Sequence, residues 1–111
     1  MASAPAWCIS ELTRPELMML LHRCAIDPTH DDELNRTATN DWDYFTVVPV
    51  DDRCLARAVE IGSRYRVRLV DAIHLAAADR LPRPVRYLTF DHRQIPAAAA
   101  LGFEVVAPRA I

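Results

Sequence analysis

The sequence predicts an α/β layer fold with a mostly parallel sheet. Three observations carry that expectation. Four short runs rich in β-branched and aromatic residues are spread along the chain. Stretches with apolar residues at 3-to-4 spacing separate them. The resulting order is strand, helices, strand, helices, strand, helix, strand, and strands joined through helices pair in parallel. The chain has 111 residues, with no internal repeat, low-complexity linker or composition shift. A single domain over 1–111 is therefore expected.

The elements follow in order. Trp7-Cys8-Ile9 is the first candidate strand. Thr13-Arg14-Pro15-Glu16 reads as a capping box with Pro early in the first helical turn. Leu17, Leu20, Leu21 and Cys24 then form one apolar stripe, and Asp27-Pro28 ends the helix. A second helix is expected from Thr29, with Asp31, Asp32 and Glu33 near the positive end of its dipole. Phe45-Thr46-Val47-Val48 is the clearest strand by composition, closed by Pro49. Asp51 or Asp52 can cap the next helix, where Leu55, Ala58, Val59 and Ile61 face one side and Gly62 stands near the end. The helix over 70–80 has Ile73, Leu75, Ala76 and Ala77 on more than one side, which predicts deep burial. After Pro82-Arg83-Pro84 come a strand over 85–90, then Asp91, an Ala-rich helix over 96–101 ended by Gly102, and a last strand over 103–106.

Composition narrows the function classes. Hydrophobic residues make up 51% and charged residues 25%, as in an ordinary soluble globule. With only Gly62 and Gly102, a Gly-rich phosphate loop is excluded. Net charge is −2, so whole-molecule attraction to nucleic acid is not expected. All 13 basic residues are Arg, for which base composition is the plain explanation. Cys8, Cys24 and Cys54 fit no zinc spacing and read as reduced, mostly buried thiols of a cytoplasmic protein. The first ten residues do not read as a signal peptide, and no apolar run approaches the ~20 residues of a membrane span.

Three acids fall where a parallel α/β sheet places its functional crevice, beyond the carboxyl ends of the strands. Glu16 lies in the first helical turn after the first strand, Asp71 opens the helix over 70–80, and Asp91 follows the strand over 85–90. A carboxylate cluster without Cys or His suits Mg²⁺ or Mn²⁺. Such an ion activates water and stabilises charge on a scissile phosphate. Each acid also has a plain structural role. Glu16 can complete the capping box, Asp71 can be an N-cap, and Asp91 can cap the turn that follows it. Arg68 and Arg93, beside Asp71 and Asp91, are candidate RNA-binding residues, the alternative being a solvated surface with local ion pairs. Tyr65 and Tyr87 read as core or rim residues.

Leu69-Val70-Asp71-Ala72-Ile73-His74-Leu75-Ala76 resembles the helix that carries the third acid of PIN-domain proteins, the VapC-type bacterial toxins above all. Leu88-Thr89-Phe90-Asp91, the Ala-rich helix, and Leu101-Gly102-Phe103-Glu104-Val105 with Pro108 resemble the C-terminal end of that family. Ser10-Glu11-Leu12-Thr13-Arg14-Pro15-Glu16-Leu17 is similar to the segment bearing its conserved Glu. The resemblance implies an α/β/α sandwich on a five-stranded parallel sheet and an endoribonuclease dependent on Mg²⁺ or Mn²⁺. It further implies a toxin held in check by an antitoxin, and a homodimer. Carried over by position, Glu16, Asp71 and Asp91 are three of four site acids, with Asp71 the direct metal ligand and the other two acting largely through water.

The sequence departs from the pattern at the front. The family opens with a central apolar strand ending in a metal-binding Asp, whereas the earliest Asp here is Asp27, beyond the first helix. Residues 1–6 read like the loop before the family's second strand. Four strands are thus expected, with the usual first central strand missing and strand edges left open. Glu11 is a weak substitute for the missing Asp, being a helix-entry residue. Two functions remain open. One is a VapC-like endoribonuclease on a truncated chain. The other is a catalytically inactive PIN remnant that only binds an antitoxin or a second copy of itself.

Overall fold

All four expected strands form, each three residues long, and both of their pairings are parallel. The computed structural model describes residues 7–108; the loop expected over 1–6 lies outside them. The chain divides into two compact units, Met1–Val48 and Pro49–Ile111.

The N-terminal unit holds β1 (Cys8–Ser10), α1 (Thr13–Cys24), α2 (Pro28–Trp42) and β2 (Thr46–Val48). Cys8 lies opposite Thr46, Ile9 opposite Val47 and Ser10 opposite Val48. The expected capping box does not form. A cap needs extended backbone so that its side chain can turn back onto the helix, but Leu12, ahead of Thr13, is already helical at φ −67° and ψ −23°. The Glu16 N–H instead donates to the Leu12 carbonyl at 3.3 Å. The second helix starts one residue before Thr29, at Pro28, because Asp27 is its cap and accepts from the His30 N–H at 2.8 Å. The α1 stripe is only half covered. Leu17 and Leu21 are partly buried, Leu20 and Cys24 are exposed, and neither α1 nor α2 contains a buried residue. Within this unit the two helices meet along a shallow groove lined by Leu17, Met18, Ala38 and Trp42, with the Arg14 guanidinium 5.7 Å from the Trp42 ring centre.

The C-terminal unit holds α3 (Asp52–Tyr65), α4 (Leu69–Asp79), β3 (Arg86–Leu88), a 3-10 turn (His92–Gln94), α5 (Ile95–Ala100) and β4 (Glu104–Val106). Asp51 caps α3, accepting from the Cys54 N–H at 3.0 Å, and also pairs with Arg80 at 2.7 Å. The Cys54 N–H and Arg80 together hold its pKa below the usual carboxylate value. Gly62 does not end α3. The helix runs on to Tyr65 and stops at Arg66, which takes the left-handed conformation at φ 55°. Gly62 instead lies where α3 approaches α4, and a Cβ on it would sit 3.5 Å from the Ala72 Cβ.

The core of this unit combines Cys54, Ala58 and Ile61 of α3 with Ala72, Ile73, Leu75, Ala76 and Ala77 of α4. Val85, Ala97, Ala98 and Phe103 complete it. The helix over 70–80 is therefore buried on several sides, as its composition predicts. Gly102 ends α5 with φ +88°. Its N–H donates to the Ala99 carbonyl at 3.0 Å and that of Phe103 to the Ala98 carbonyl at 3.1 Å, the paired bonds of a Schellman turn.

The four strands form two separate pairs, β1–β2 and β3–β4, rather than one sheet. Among the described residues no strand is hydrogen-bonded to both pairs. One cysteine expectation needs correcting. Only Cys54 is buried; Cys8 is partly covered and Cys24 exposed. Cys54 faces the α3–α4 seam, and desolvation there raises its thiol pKa. No helix among the described residues is long and apolar enough to cross a membrane.

Candidate active site

The C-terminal unit brings Asp71 and Asp91 together. Asp71 is the third residue of α4 and only 5% exposed. Arg68, not Asp71, is the cap residue of that helix, so Asp71 does not serve as the N-cap. Its two carboxylate oxygens are divided between two donors. Gln94 Nε2 donates to Oδ1 at 2.8 Å, and Arg68 Nε donates to Oδ2 at 3.2 Å.

Asp91 sits just past the carboxyl end of β3. It does cap the 3-10 turn, accepting from the Arg93 N–H at 2.9 Å. It also takes the Arg93 guanidinium through two bonds, Nε to Oδ1 and Nη2 to Oδ2, each 3.0 Å. Arg93, by its side chain first and its N–H second, holds the Asp91 carboxyl below the usual range. The Arg68 Nη2 stands 3.6 Å from Asp91 Oδ2. A single guanidinium thus reaches both acids.

Beneath this pair lies a polar network that fixes it. Gln94 Oε1 accepts from the Tyr87 hydroxyl at 2.9 Å and lies 3.1 Å from Thr89 Oγ1. Thr89 Oγ1 in turn accepts from the Asp91 N–H at 3.0 Å. Thr89 and Gln94 are buried, and the Tyr87 ring stacks on Phe103 with centres 5.6 Å apart. Burial first, then the charges of Asp71 and Asp91, raise the Tyr87 pKa well above that of an ordinary phenol. The hydroxyl therefore stays protonated, as its donated bond to Gln94 requires. A buried network in which each member is satisfied is rigid, and no buried side-chain nitrogen or oxygen among the described residues lacks a partner.

A model of the PIN domain family matches residues 1–101. The chain belongs to the PIN domain family. This PIN domain is also similar to Ribonuclease VapC47 of Mycobacterium tuberculosis (strain CDC 1551 / Oshkosh), with 33% identity over 70 residues. That stretch is 62% of this chain and 51% of the relative. The chain thus spans about half the length of the curated relative it matches. No solved structure matches it.

Of the acids expected for a PIN site, Asp71 and Asp91 are neighbours in the C-terminal unit. Glu16 stands in the N-terminal unit, exposed in the first turn of α1. Among the described residues no group of three or more His, Cys, Asp and Glu side chains is gathered to hold a metal ion. The residue that sequence reasoning missed is Gln94. Its signal was faint, a polar side chain in the short link between Asp91 and an apolar helix. Only the fold shows that it points inward to Asp71.

Proposed function

We propose that this PIN domain is the ribonuclease component of a VapC-type toxin–antitoxin pair, cutting RNA with Mg²⁺ or Mn²⁺ held at Asp71 and Asp91. The observation that carries this reading is the placement of two carboxylates, from the start of α4 and the end of β3, close enough to share one cationic group. Family membership and the likeness to Ribonuclease VapC47 support it. The donor chemistry fits the ion, because Mg²⁺ sites rest on one or two carboxylates completed by water and substrate phosphate. Following the family resemblance, Asp71 is the direct ligand, and Asp91 and Glu16 act largely through water. When bound, the ion supplies activated water and charge neutralisation at the scissile phosphate.

The chain's own residues do the positioning. Gln94 sets the plane of the Asp71 carboxylate, with Tyr87 and Thr89 holding Gln94. Arg93 keeps Asp91 ionised. Arg68 and Arg93, with side chains 64% and 69% exposed, are available to RNA phosphates. The match to the family runs across the Val48–Pro49 boundary, which supports residues 1–111 acting as one domain. A cytoplasmic setting, an antitoxin partner and a homodimer belong to the same reading and rest on the resemblance.

A second reading is the inactive remnant, confined to binding an antitoxin or another copy. It is favoured by the pairing of all four carboxylate oxygens of Asp71 and Asp91 with nitrogen. Incubating the purified chain and its Asp71→Asn variant with structured RNA and Mg²⁺ or Mn²⁺ separates the two. Cleavage lost on substitution supports the ribonuclease. Equal background from both chains supports the remnant.

A further inference from the structure

We propose that Arg68 is an internal counter-cation of the Asp71–Asp91 pair, exchanged for the divalent ion when the site loads. This deepens the ribonuclease reading and rests on it. The Arg68 guanidinium has Nε 3.2 Å from Asp71 Oδ2 and Nη2 3.6 Å from Asp91 Oδ2. Among the described residues it is the side chain that reaches both carboxylates, and its charge offsets theirs.

The two sides of this bridge are unequal. The Asp71 side chain is 7% exposed, whereas that of Arg68 is 64% exposed. A buried carboxylate needs a positive partner, because a charge left unpaired away from water is strongly destabilising. An exposed guanidinium loses little by returning to water. The exchange therefore favours departure of the arginine and retention of the acid.

The local backbone permits that movement. Arg68 is the extended cap residue of α4, at φ −65° and ψ 157°, and its side chain makes no capping bond. Its carbonyl is anchored by the Ala72 N–H at 2.8 Å, so the main chain stays fixed while the side chain swings. The other two donors differ in kind. Gln94 is neutral and buried and holds the opposite oxygen of Asp71. Arg93 is hydrogen-bonded to Asp91 and feels Asp71 through its charge. Of these three donors, Arg68 both bridges the acids and is exposed enough to leave.

The exchange is tested by Mn²⁺ titration calorimetry on the full chain and three variants, Arg68→Gln, Arg86→Gln and Asp71→Asn. Arg86→Gln removes an equal charge from the same unit at a side chain paired with Glu104 instead. Arg68→Gln is expected to bind Mn²⁺ about tenfold more tightly than the unaltered chain, because no bonds to the carboxylates need be broken first. Arg86→Gln should change the affinity by less than about twofold, as an exposed charge screened by solvent. If Arg68→Gln binds no more tightly while Asp71→Asn abolishes binding, the exchange is overturned and the metal site stands. If no chain binds Mn²⁺, the exchange and the metal reading both fall.

A measurement on the unaltered chain guards against misfolding of the variant. In ¹⁵N spectra the Arg68 Nε–H resonance should shift, and its proton should exchange faster with water, on Mg²⁺ addition, while that of Arg86 stays in place. An Arg68 signal unmoved at saturating Mg²⁺ overturns the exchange.

Discussion

Gln94 donates its side-chain amide to the buried Asp71 carboxylate at 2.8 Å, joining the 3-10 turn after β3 to the first turn of α4. A neutral donor at this distance orients a carboxylate without cancelling its charge. The same amide accepts from Tyr87 through its oxygen. Gln94→Leu would leave Asp71 Oδ1 and the Tyr87 hydroxyl without their partner in a buried place. The expected loss is about 1–3 kcal/mol of folding stability, measured by urea denaturation, together with weaker divalent-ion binding.

Gln94→Glu is the sharper variant. It is nearly the same shape but sets one carboxylate against another. Burial beside the Asp71 charge raises the pKa of the introduced carboxyl above its unfolded value, so the variant is destabilised at neutral pH. That penalty should fade as pH drops below ~5 and a proton is shared. Parallel melts of Gln94→Glu and Gln94→Leu at pH 7 and pH 4.5 check this, since only the Glu variant should recover.

Asp79 supplies the opposite pH response. Burial alone would raise its pKa, but Arg57 at 2.9 Å and Arg83 at 2.6 Å outweigh it and leave the carboxyl below its model-compound value of 3.8. A depressed folded pKa gives stability that is present above the unfolded pKa and lost as pH falls through the folded one. Both guanidinium groups are well exposed, so solvent screening reduces the gain to about 1 kcal/mol. Asp79→Asn should be less stable by that amount at pH 7 and equal to the unaltered chain near pH 2, read from thermal melts.

Gly62 and Gly102 should answer differently to the same change. Gly62 lies inside α3, and an added methyl meets Ala72 and the Val67 carbonyl at 3.5 Å, an ordinary contact distance. Gly62→Ala removes flexibility from the unfolded chain and should stabilise by about 0.5–1 kcal/mol.

At Gly102 there is open space, but the backbone stands at φ +88°. Gly102→Ala should therefore destabilise by about 1 kcal/mol through strain alone. Urea midpoints of the two variants would move in opposite directions. A Gly102→Asn variant should lose less, since Asn tolerates the left-handed region better.

Much of this molecule is legible in its sequence. Every strand and helix falls within a few residues of its expected place, because apolar spacing and Pro punctuation are local signals. The places of Asp71 and Asp91 in the fold are legible as well, since each sits near the junction of two such elements. The capping box at Thr13 was misread because Leu12 continues the helix backward, a backbone choice that its side chain does not announce. Gly62 was misplaced as a helix end because the sequence does not distinguish a stop from a close approach of two helices. The network through Gln94, Tyr87 and Thr89 was hidden for another reason. Its members look like ordinary polar residues until the chain closes over them.

The burial is distributed unequally, and this bears on how such a chain can diverge. The tightly packed residues of α3, α4 and α5 form the core of the unit that carries the acid pair, so most changes there remove atoms from a filled interior. No residue of α1 or α2 is buried. Substitutions along those two helices take nothing out of a close-packed interior and are usually nearly neutral for stability. Apart from Glu16, that stretch can therefore drift in sequence, and take on new recognition properties, while the packing of the C-terminal unit stays locked in place.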